Sequence, residues 1–426
     1  MAPIRVAAIA FDWYPFDVRV RRMAEAAMGA GYDMDVICLR REGEKAFEVC
    51  NGVRVYRVPL DRGFGRPLSA TVLEWLHFMA HAAARVTWLH LRRHYDVIVV
   101  HNMPDFLIFA ATLPKLLGAK LVLDVEDPSP ELMASKSSGR RRAILTTFAA
   151  WQEHVSAAFA DHVVTVGWTF EELLLRRGVP KHKVTLILNS ADPNVFPPER
   201  RAPAVVDSGG GKRPFVVIYY GTLAERNGVA TAIRAVKLAL PNTPNLRLDI
   251  MGRGEELPAL RALTQELDIT DHVVFIESRP PERVADFVLN GDVGIIPYHA
   301  DVYGDLVLPT KAYEMAWMGR PIIASNTRAL RSMFRPQSVR LCDVPSPECF
   351  AEAILELYAD PQKRAHMIVS ASEDYEALRW EPICKRYQEL LASLSGKARQ
   401  PVGAKGSSVR EASHGHADVD VHELVR

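Results

Sequence analysis

Cysteine is scarce in this chain. Five stand among 426 residues, at positions 38, 50, 342, 349 and 384, an odd number with no C-x-x-C spacing. That excludes a zinc-ribbon or dithiol redox motif and points to free thiols in a reducing, cytoplasmic compartment. Surplus charge of either sign is also lacking, since 52 basic residues face 51 acidic ones for a net charge of +1. A chain whose main partner is nucleic acid shows a clear basic excess, so that class is set aside. Long apolar runs are missing too. The most apolar long segment, residues 70–91, is broken by Glu74, His77, His81, Arg85 and His90, whereas a membrane-spanning helix needs about 20 mostly apolar residues. The first residues run directly into an apolar strand, with no basic stretch and long apolar stretch behind it, which argues against a signal peptide. No internal repeat with a period of roughly 20–50 residues is visible.

What is present is alternation. Ile4–Ala10 reads as a strand, Arg19–Ala30 as a helix closed by Gly31, and Asp35–Leu39 as a second strand. A hairpin around Gly52, a long helix over 70–92, a strand over Asp96–Val100, a helix over 105–117 and a strand over Lys120–Val125 follow. The same grammar restarts at Phe215–Tyr220 and continues through strands Leu246–Met251, Val273–Ile276 and Val293–Pro297, with helices over 228–239, 255–267 and 281–289 between them. Strand–helix alternation implies parallel sheets covered on both faces. The fold class is therefore α/β, with two doubly wound, Rossmann-like domains facing each other across a cleft. The expected organisation is a first domain at 1–196, a linker at 197–214 marked by PPERRAP and SGGGKRP, and a second domain at 215–372. Helices over 373–395 are expected to pack back on the first domain, and a Gly-, Ser- and charge-rich tail fills 396–426. Ligands of open parallel sheets sit beyond the carboxyl ends of the strands, so the natural site is the cleft.

The densest chemical signal is Asp305-Leu-Val-Leu-Pro-Thr-Lys-Ala-Tyr-Glu314, followed by Gly319-Arg-Pro-Ile-Ile-Ala-Ser325. Physically it is a loop, a proline at a helix start, a short helix, a glycine stop and a buried strand. Amides near Leu308–Lys311 point out of a helix amino end, where an anion is welcome. Lys311 sits where the helix dipole disfavours a cation, so a bound phosphate explains it better than helix stability does. Glu314 lies one turn further in and has the two acceptor oxygens a sugar diol requires. A solvated Lys and Glu on an amphipathic helix is the alternative reading of this segment taken alone.

This P-[ST]-K-x-x-E-x-x-x-x-G-x-P pattern resembles the nucleotide-sugar signature of glycosyltransferase family 4, whose fold is GT-B. Tyr219-Tyr-Gly221-Thr-Leu-Ala-Glu-Arg226-Asn-Gly228, Leu248-Asp-Ile-Met-Gly252-Arg-Gly254 and Gly291–Pro297 resemble further blocks of that family's second domain. In the first domain, Tyr14–Arg22, His101–Asp105 and Asp124–Pro128 resemble its cleft-facing loops. The resemblance covers roughly residues 1–395, and the blocks stand in the family's order.

The resemblance implies a retaining, hexosyltransferase-type enzyme that takes a nucleotide-diphosphate sugar as co-substrate and needs neither cofactor nor metal. On it, Glu314 holds the ribose hydroxyls, Thr310 and Lys311 lie against the diphosphate, and Gly221 lets the backbone approach closely. Thr222, Asn227, Gly252, Arg253, Asp305 and Leu308 complete the donor side. His101, Arg226 and Lys311 are the residues assigned to catalysis. Tyr14, Asp17, Arg19, Asp105 and Glu126 face the acceptor. The chain also departs from the pattern. Thr222 and Asn227 stand where the family usually has Arg and Lys, so the cationic role passes to Arg226. Leu306 replaces the first glutamate of the E-x7-E signature, with Asp305 beside it as a substitute, and Glu126 stands where a histidine is usual.

The implied partners are the donor and a glycan or lipid-linked acceptor, with use in cell-surface polysaccharide or glycoconjugate biosynthesis. Rival readings are a sugar-nucleotide epimerase on the same fold and a non-catalytic subunit that has lost turnover, the latter suggested by Leu306 and Thr222. The helix over 70–92, with Trp75, Trp88, Arg92 and Arg93, and Arg66 before it, suggests a reversible contact with the inner membrane face. Three histidines in the tail, His414, His416 and His422, read as incidental.

Overall fold

Val6, Ala7, Ala8 and Ile9 are shut off from solvent on both faces, and only a strand inside a covered parallel sheet buries successive side chains in this way. These residues belong to β1 (Arg5–Ile9) of a computed structural model, which describes residues 3–60, 62–63, 67–137, 139–201, 213–280, 283–376 and 378–397. The remaining strands of the first sheet are β2 (Asp33–Leu39), β3 (Phe47–Cys50), β4 (Val53–Val58), β5 (Val97–His101), β6 (Lys120–Val125), β7 (His162–Thr165) and β8 (Val184–Leu186). Their order is β3-β4-β2-β1-β5-β6-β7-β8. Every pairing is parallel except β3 with β4, which closes the hairpin around Gly52.

The helices of this half are α1 (Val18–Gly29), α2 (Leu68–Arg93), α3 (Thr112–Leu116), α4 (Ser129–Ser135), α5 (Gly139–Phe159) and α6 (Trp168–Arg176). Where the sequence suggests one helix over 105–117, the chain makes a 3-10 stretch over Asp105–Ala111 before α3. Pro114 lies inside the expected helix, and its missing amide hydrogen breaks the ladder there.

The second sheet contains β9 (Phe215–Tyr220), β10 (Leu246–Met251), β11 (Val273–Ile276), β12 (Val293–Ile296), β13 (Ile322–Ser325) and β14 (Arg340–Cys342), in the order β11-β10-β9-β12-β13-β14. Around it lie α7 (Val229–Ala239), α8 (Leu257–Glu266), α9 (Val284–Asn290), α10 (Thr310–Trp317), α11 (Arg328–Met333), α12 (Pro347–Ala359) and α13 (Pro361–Glu376). α14 (Trp380–Ser395) is closed by Gly396 in a left-handed cap. Most of the linker over 197–214 and nearly all of the tail over 396–426, its histidines included, lie outside the described residues, as does Arg66.

Each sheet reverses its winding once, between β1 and β5 in the first and between β9 and β12 in the second. The loops that leave these strands at their carboxyl ends are where a ligand crevice forms. One apolar cluster joins the two halves: Val20, Met23 and Ala27 of α1 continue through Tyr387 and Leu391 of α14 to Tyr313, Trp317 and Tyr375. Polar groups fasten the same seam. Trp317 Nε1 donates to the Phe196 carbonyl at 2.7 Å, and the amide of Ala191 donates to Tyr375 Oη at 3.0 Å. α14 lies along α1, where Gln388 Nε2 donates to the Ala26 carbonyl at 2.8 Å and the Arg22 guanidinium stacks 3.8 Å from the Trp380 ring.

Candidate active site

Tyr220 ends β9 and hands the chain to Gly221, whose φ of +125° lies where residues with a side chain rarely go. The loop from Gly221 to Gly228 is held by its own members. Asn227 Nδ2 donates to the Thr222 carbonyl at 2.7 Å, and Tyr219 Oη donates to the same oxygen at 2.8 Å. Gly252 presses directly against this loop, so a Cβ there would stand 2.0 Å from the Gly221 carbonyl oxygen. The Arg253 carbonyl accepts from the Leu223 amide at 2.9 Å while its side chain stays exposed.

α10 aims its amino end into this corner. Thr310 is exposed there and Leu308 is half-buried beside the helix. Lys311 is buried at 5% exposure, and its Nζ has no hydrogen-bond partner among the described residues. That ammonium lies 4.2 Å from the Tyr219 ring and 4.9 Å from the Tyr298 ring. It points at Gly221, where a Cβ would sit 3.1 Å from it. Burial pulls the Lys311 pKa down to about 7, against the opposing pull of Glu314. Lys311 is therefore not the solvated lysine of an amphipathic helix. Glu314 Oε2 accepts from Tyr220 Oη at 2.7 Å, and burial raises its pKa while Tyr220 and Lys311 oppose the rise. Arg226 is half-buried, and its guanidinium makes no hydrogen bond or ion pair among the described residues. Its charge reaches Tyr298 and Tyr303 and, across the cleft, Lys136, which partial burial and then Arg226 hold below the usual lysine value.

The facing wall is a chain of charges. Arg19, on the first turn of α1, grips Asp124 with both ends of its fork, at 2.9 and 2.7 Å, and also donates to the Ile187 carbonyl at 3.0 Å and to Asn189 Oδ1 at 3.1 Å. His101 ends β5 and places Nδ1 3.1 Å from Asp124 and 2.9 Å from Glu126. Burial alone would lower the His101 pKa, but hydrogen bonds to the two carboxylates raise it, so the ring is held as an imidazolium. Its Nε2 makes no hydrogen bond to the protein among the described residues. Burial raises the Glu126 pKa, and Asp17 and Asp124 add to the rise against His101. Asp127 accepts a hydrogen bond from Tyr303 of the second domain, and Thr169 Oγ1 donates to the Leu306 carbonyl at 2.6 Å, so the two walls touch.

Several residues assigned from the sequence are engaged elsewhere. Tyr14 is core rather than acceptor-facing: it is 1% exposed and its carbonyl is held by Arg57. Asp105 is fully buried among Asn102, Ser129 and Gln152, all donating to it, and does not open to the cleft. Asp17 caps α1 by accepting from the Val20 amide at 2.8 Å, and Arg19 has no free face for an acceptor. Asp305 accepts from the Arg328 amide at 2.7 Å and so holds the first turn of α11, whose cap is Thr327, instead of replacing the missing glutamate. Leu306 packs on Val166 and Phe170 of the first domain. Asn227 keeps its amide for Thr222, and Trp75 packs edge-on against Phe106, inward from the surface. Gly221, Arg226, Lys311 and Glu314 do converge on one wall, with His101 and Glu126 together on the other.

Tyr220, which orients Glu314, has no assigned role in the sequence motif, although the Tyr-Tyr before Gly221 is a signal, since a strand's last residue faces the crevice. The Arg19–Asp124 grip gave no sequence signal. His101, Asp124 and Glu126 offer ligand atoms within 4.8 Å of one another, a spacing a metal ion accepts. Arg19 already occupies both Asp124 oxygens, so an ion there would have to displace a guanidinium from a buried pair.

Two Rossmann-like domains, closed on each other around a cationic helix end, define the GT-B architecture. A model of the group 1 glycosyl transferases matches residues 206–374, and a model of the glycosyl transferase 4-like domain matches residues 17–190. The chain belongs to the family 4-type glycosyltransferases of GT-B fold. A D-inositol 3-phosphate glycosyltransferase of Acidothermus cellulolyticus is 28% identical over 263 residues, which are 58% of this chain and 57% of that protein. The match thus spans little more than half the length of that relative. Sucrose-phosphate synthase from Thermosynechococcus elongatus superposes with a TM-score of 0.73 at 20% identity, over 92% of this chain and 99% of the other. HepE of Anabaena, solved with UDP-glucose, gives 0.66 at 15% identity over 92% and 100%. At such identities these structures speak for the fold.

Proposed function

We propose that the protein transfers a sugar, with retention, from a nucleotide diphosphate to a hydroxyl of a glycan or lipid-linked glycan. The observation that carries this reading is the buried, unpartnered ammonium of Lys311 at the amino end of α10, facing a glycine that leaves room for phosphate. A diphosphate supplies the missing partner, and Glu314, already oriented by Tyr220, meets the ribose diol. Cleavage of the glycosidic bond builds positive charge on the sugar and negative charge on the leaving diphosphate. Lys311, Arg226 and the α10 amides are aimed where that negative charge grows, which is the largest lever available to a protein. The leaving phosphate oxygen accepts the acceptor's proton on the same face. No separate carboxylate pair and no metal are required in this scheme, because two cations and a helix end balance the diphosphate. The His101 imidazolium, fixed through Nδ1, presents Nε2–H to a donor hydroxyl.

A membrane-side acceptor is supported by the surface. No helix among the described residues is long and apolar enough to cross a membrane. Yet α5 exposes Ile144, Phe148 and Trp151 at 59–61%, one helical face, just after Arg140, Arg141 and Arg142. α2 adds Leu73, Trp88 and Leu91, with Arg92 stacked 3.6 Å from the Trp88 ring. An apolar stripe beside arginines suits shallow, reversible docking on anionic lipid at the cytoplasmic face.

The second reading, a non-catalytic subunit, is favoured by Leu306, whose side chain serves the domain interface. One experiment separates the two. The protein is incubated with UDP-, GDP- and ADP-sugars, and thermal protection and transfer to a lipid-linked acceptor are both measured. Protection by one donor, of about 2.7 kcal/mol at a hundred times its dissociation constant, together with transfer supports the enzyme. Protection without transfer supports the subunit. Glu314→Ala should weaken the protecting donor by roughly 1–3 kcal/mol, and unchanged affinity in the folded variant removes Glu314 from the site.

A further inference from the structure

We propose that the second domain carries a separate anion site, at the far end of its sheet, that takes a small phosphate-bearing molecule. A cleft of about 440 Å³ opens there, reaching from the amino ends of β9, β10 and β12 to Ile276 at the end of β11. Four arginines line it, at 213, 247, 279 and 320, against two carboxylates. Each carboxylate is already taken. Asp292 receives both ends of the Arg213 fork, at 2.8 and 2.5 Å, together with the Val216 amide at 2.8 Å. Asp249 receives the Arg247 fork at 2.7 and 2.9 Å. Two positive charges are left over. Arg279 and Arg320 make no hydrogen bond from their side chains and no ion pair among the described residues, and Arg320 Nε is sealed from solvent without a partner.

A guanidinium half withdrawn from water and unpaired is costly, and a phosphate group that fits its planar fork removes that cost. Burial and Arg213 both disfavour the charged form of Arg320 while Asp292 favours it, so an arriving anion finds the charge under-compensated. Ile276, Phe287 and Leu289 give the cleft an apolar side, so an organic phosphate with a ring or alkyl portion fits better than inorganic phosphate alone. The site is distinct from the donor corner. Arg213, Arg247 and Arg320 lie at the amino ends of β9, β10 and β13, about 16 Å of strand from Tyr220, and Ile276 and Phe287 form the apolar wall on the side toward that corner. Arg320 lies three residues beyond the end of α10, the helix that carries Lys311 and Glu314, so an anion bound there would hold the far end of that helix.

Pyrophosphate titration of the full chain at fixed ionic strength, followed by calorimetry, tests this. Wild type should show two binding events. Lys311→Met should lose the one at the donor corner and keep the other, while Arg320→Gln should weaken the retained event at least tenfold. Arg279 is exposed, so Arg279→Gln serves where Arg320→Gln fails to fold, and it should weaken the same event severalfold. The proposal is overturned if both arginine variants titrate like wild type, or if Lys311→Met abolishes all binding. Loss of the event assigned to Lys311 alone, with the arginine-dependent event intact, is the separate signature of the donor site.

Discussion

Lys311 holds the sharpest conflict between stability and function in the molecule. Among the described residues its ammonium, between the rings of Tyr219 and Tyr298, has no acceptor, and Glu314 is the neighbour that offers opposite charge. Lys311→Met keeps the stem and removes the unpaired group. We expect the ligand-free variant to be more stable by roughly 1 kcal/mol, the cost of a buried unsatisfied donor less the cation–π attraction. Donor binding should fall at the same time. Calorimetric melting with and without nucleotide diphosphate checks both, and a lower melting temperature for the free variant would show that the lysine has a partner after all. The same group sets a pH dependence. Unfolded, Lys311 titrates near 10.4, but folded near 7. Between those values the unfolded chain binds more protons, so this residue makes stability rise with pH across that window. Donor binding runs the opposite way, because the diphosphate selects the charged amine and recruits a proton. Affinity for the nucleotide should weaken as pH rises above 7, and binding heat at pH 8 should vary with the ionisation enthalpy of the buffer. A flat affinity profile from pH 6.5 to 9 would remove Lys311 from the phosphates.

At the scale of elements, the donor corner is a stack of two loops with no room for a methyl group between them. Gly252→Ala would place a Cβ 2.0 Å from the Gly221 carbonyl oxygen, so one loop must give way. Overpacking of this kind costs about 1–3 kcal/mol. The shift falls on the residues that face Lys311, so donor affinity should drop along with stability. Thermal melting and nucleotide titration measure the two losses, and retained affinity in a destabilised variant would place Gly252 outside the site's support. The exposed face of α5 is a second element with its own test. Phe148→Ser with Trp151→Ser should reduce co-sedimentation with anionic vesicles at low salt and leave the melting temperature unchanged, since both side chains are about 60% exposed. Equal sedimentation of variant and wild type would end the docking idea.

Legibility followed the same scale. Strand positions such as Val6–Ile9 and Phe215–Tyr220 were readable because burial on both faces writes a continuous apolar run. Gly221, Lys311 and Glu314 were readable because their spacing belongs to one loop and one helix. Asp305, Asp105 and Asn227 misled because a polar residue in a loop has the same appearance whether it faces a ligand or caps the chain. Asp305 turned to the Arg328 amide and Asn227 to the Thr222 carbonyl, partners that only the fold brings near. Arg19 and Asp124 stand 105 positions apart, a separation across which no local pattern carries information. The α5 stripe went unread because its apolar residues recur at the helical spacing of any core-facing helix, and only the fold shows which face is outward.

At the scale of the whole molecule, α14 carries the chain back from the second domain onto α1 of the first. Leu391 is fully buried between α14 and the apolar seam that runs from α1 to α10. Leu391→Ala should destabilise by about 2–5 kcal/mol, the range for a large buried aliphatic side chain. Because α14 follows the second domain in the chain and packs on the first, the loss should lower the melting temperature of the entire calorimetric transition. A variant in which only one of two resolved transitions moves would show that the helix supports a single domain.

The course of the chain has a mechanical consequence. It passes from the first domain to the second between Phe196 and Phe215, and returns between Tyr375 and α14. A body tethered at one point can tilt and spin freely, but a body tethered at two points turns only about the line through them. Opening and closing of the cleft is thereby reduced to a single angle. The loops around Asp127 and Tyr303 meet and part along one fixed arc, and a single pair of distance labels placed across them would follow the whole motion.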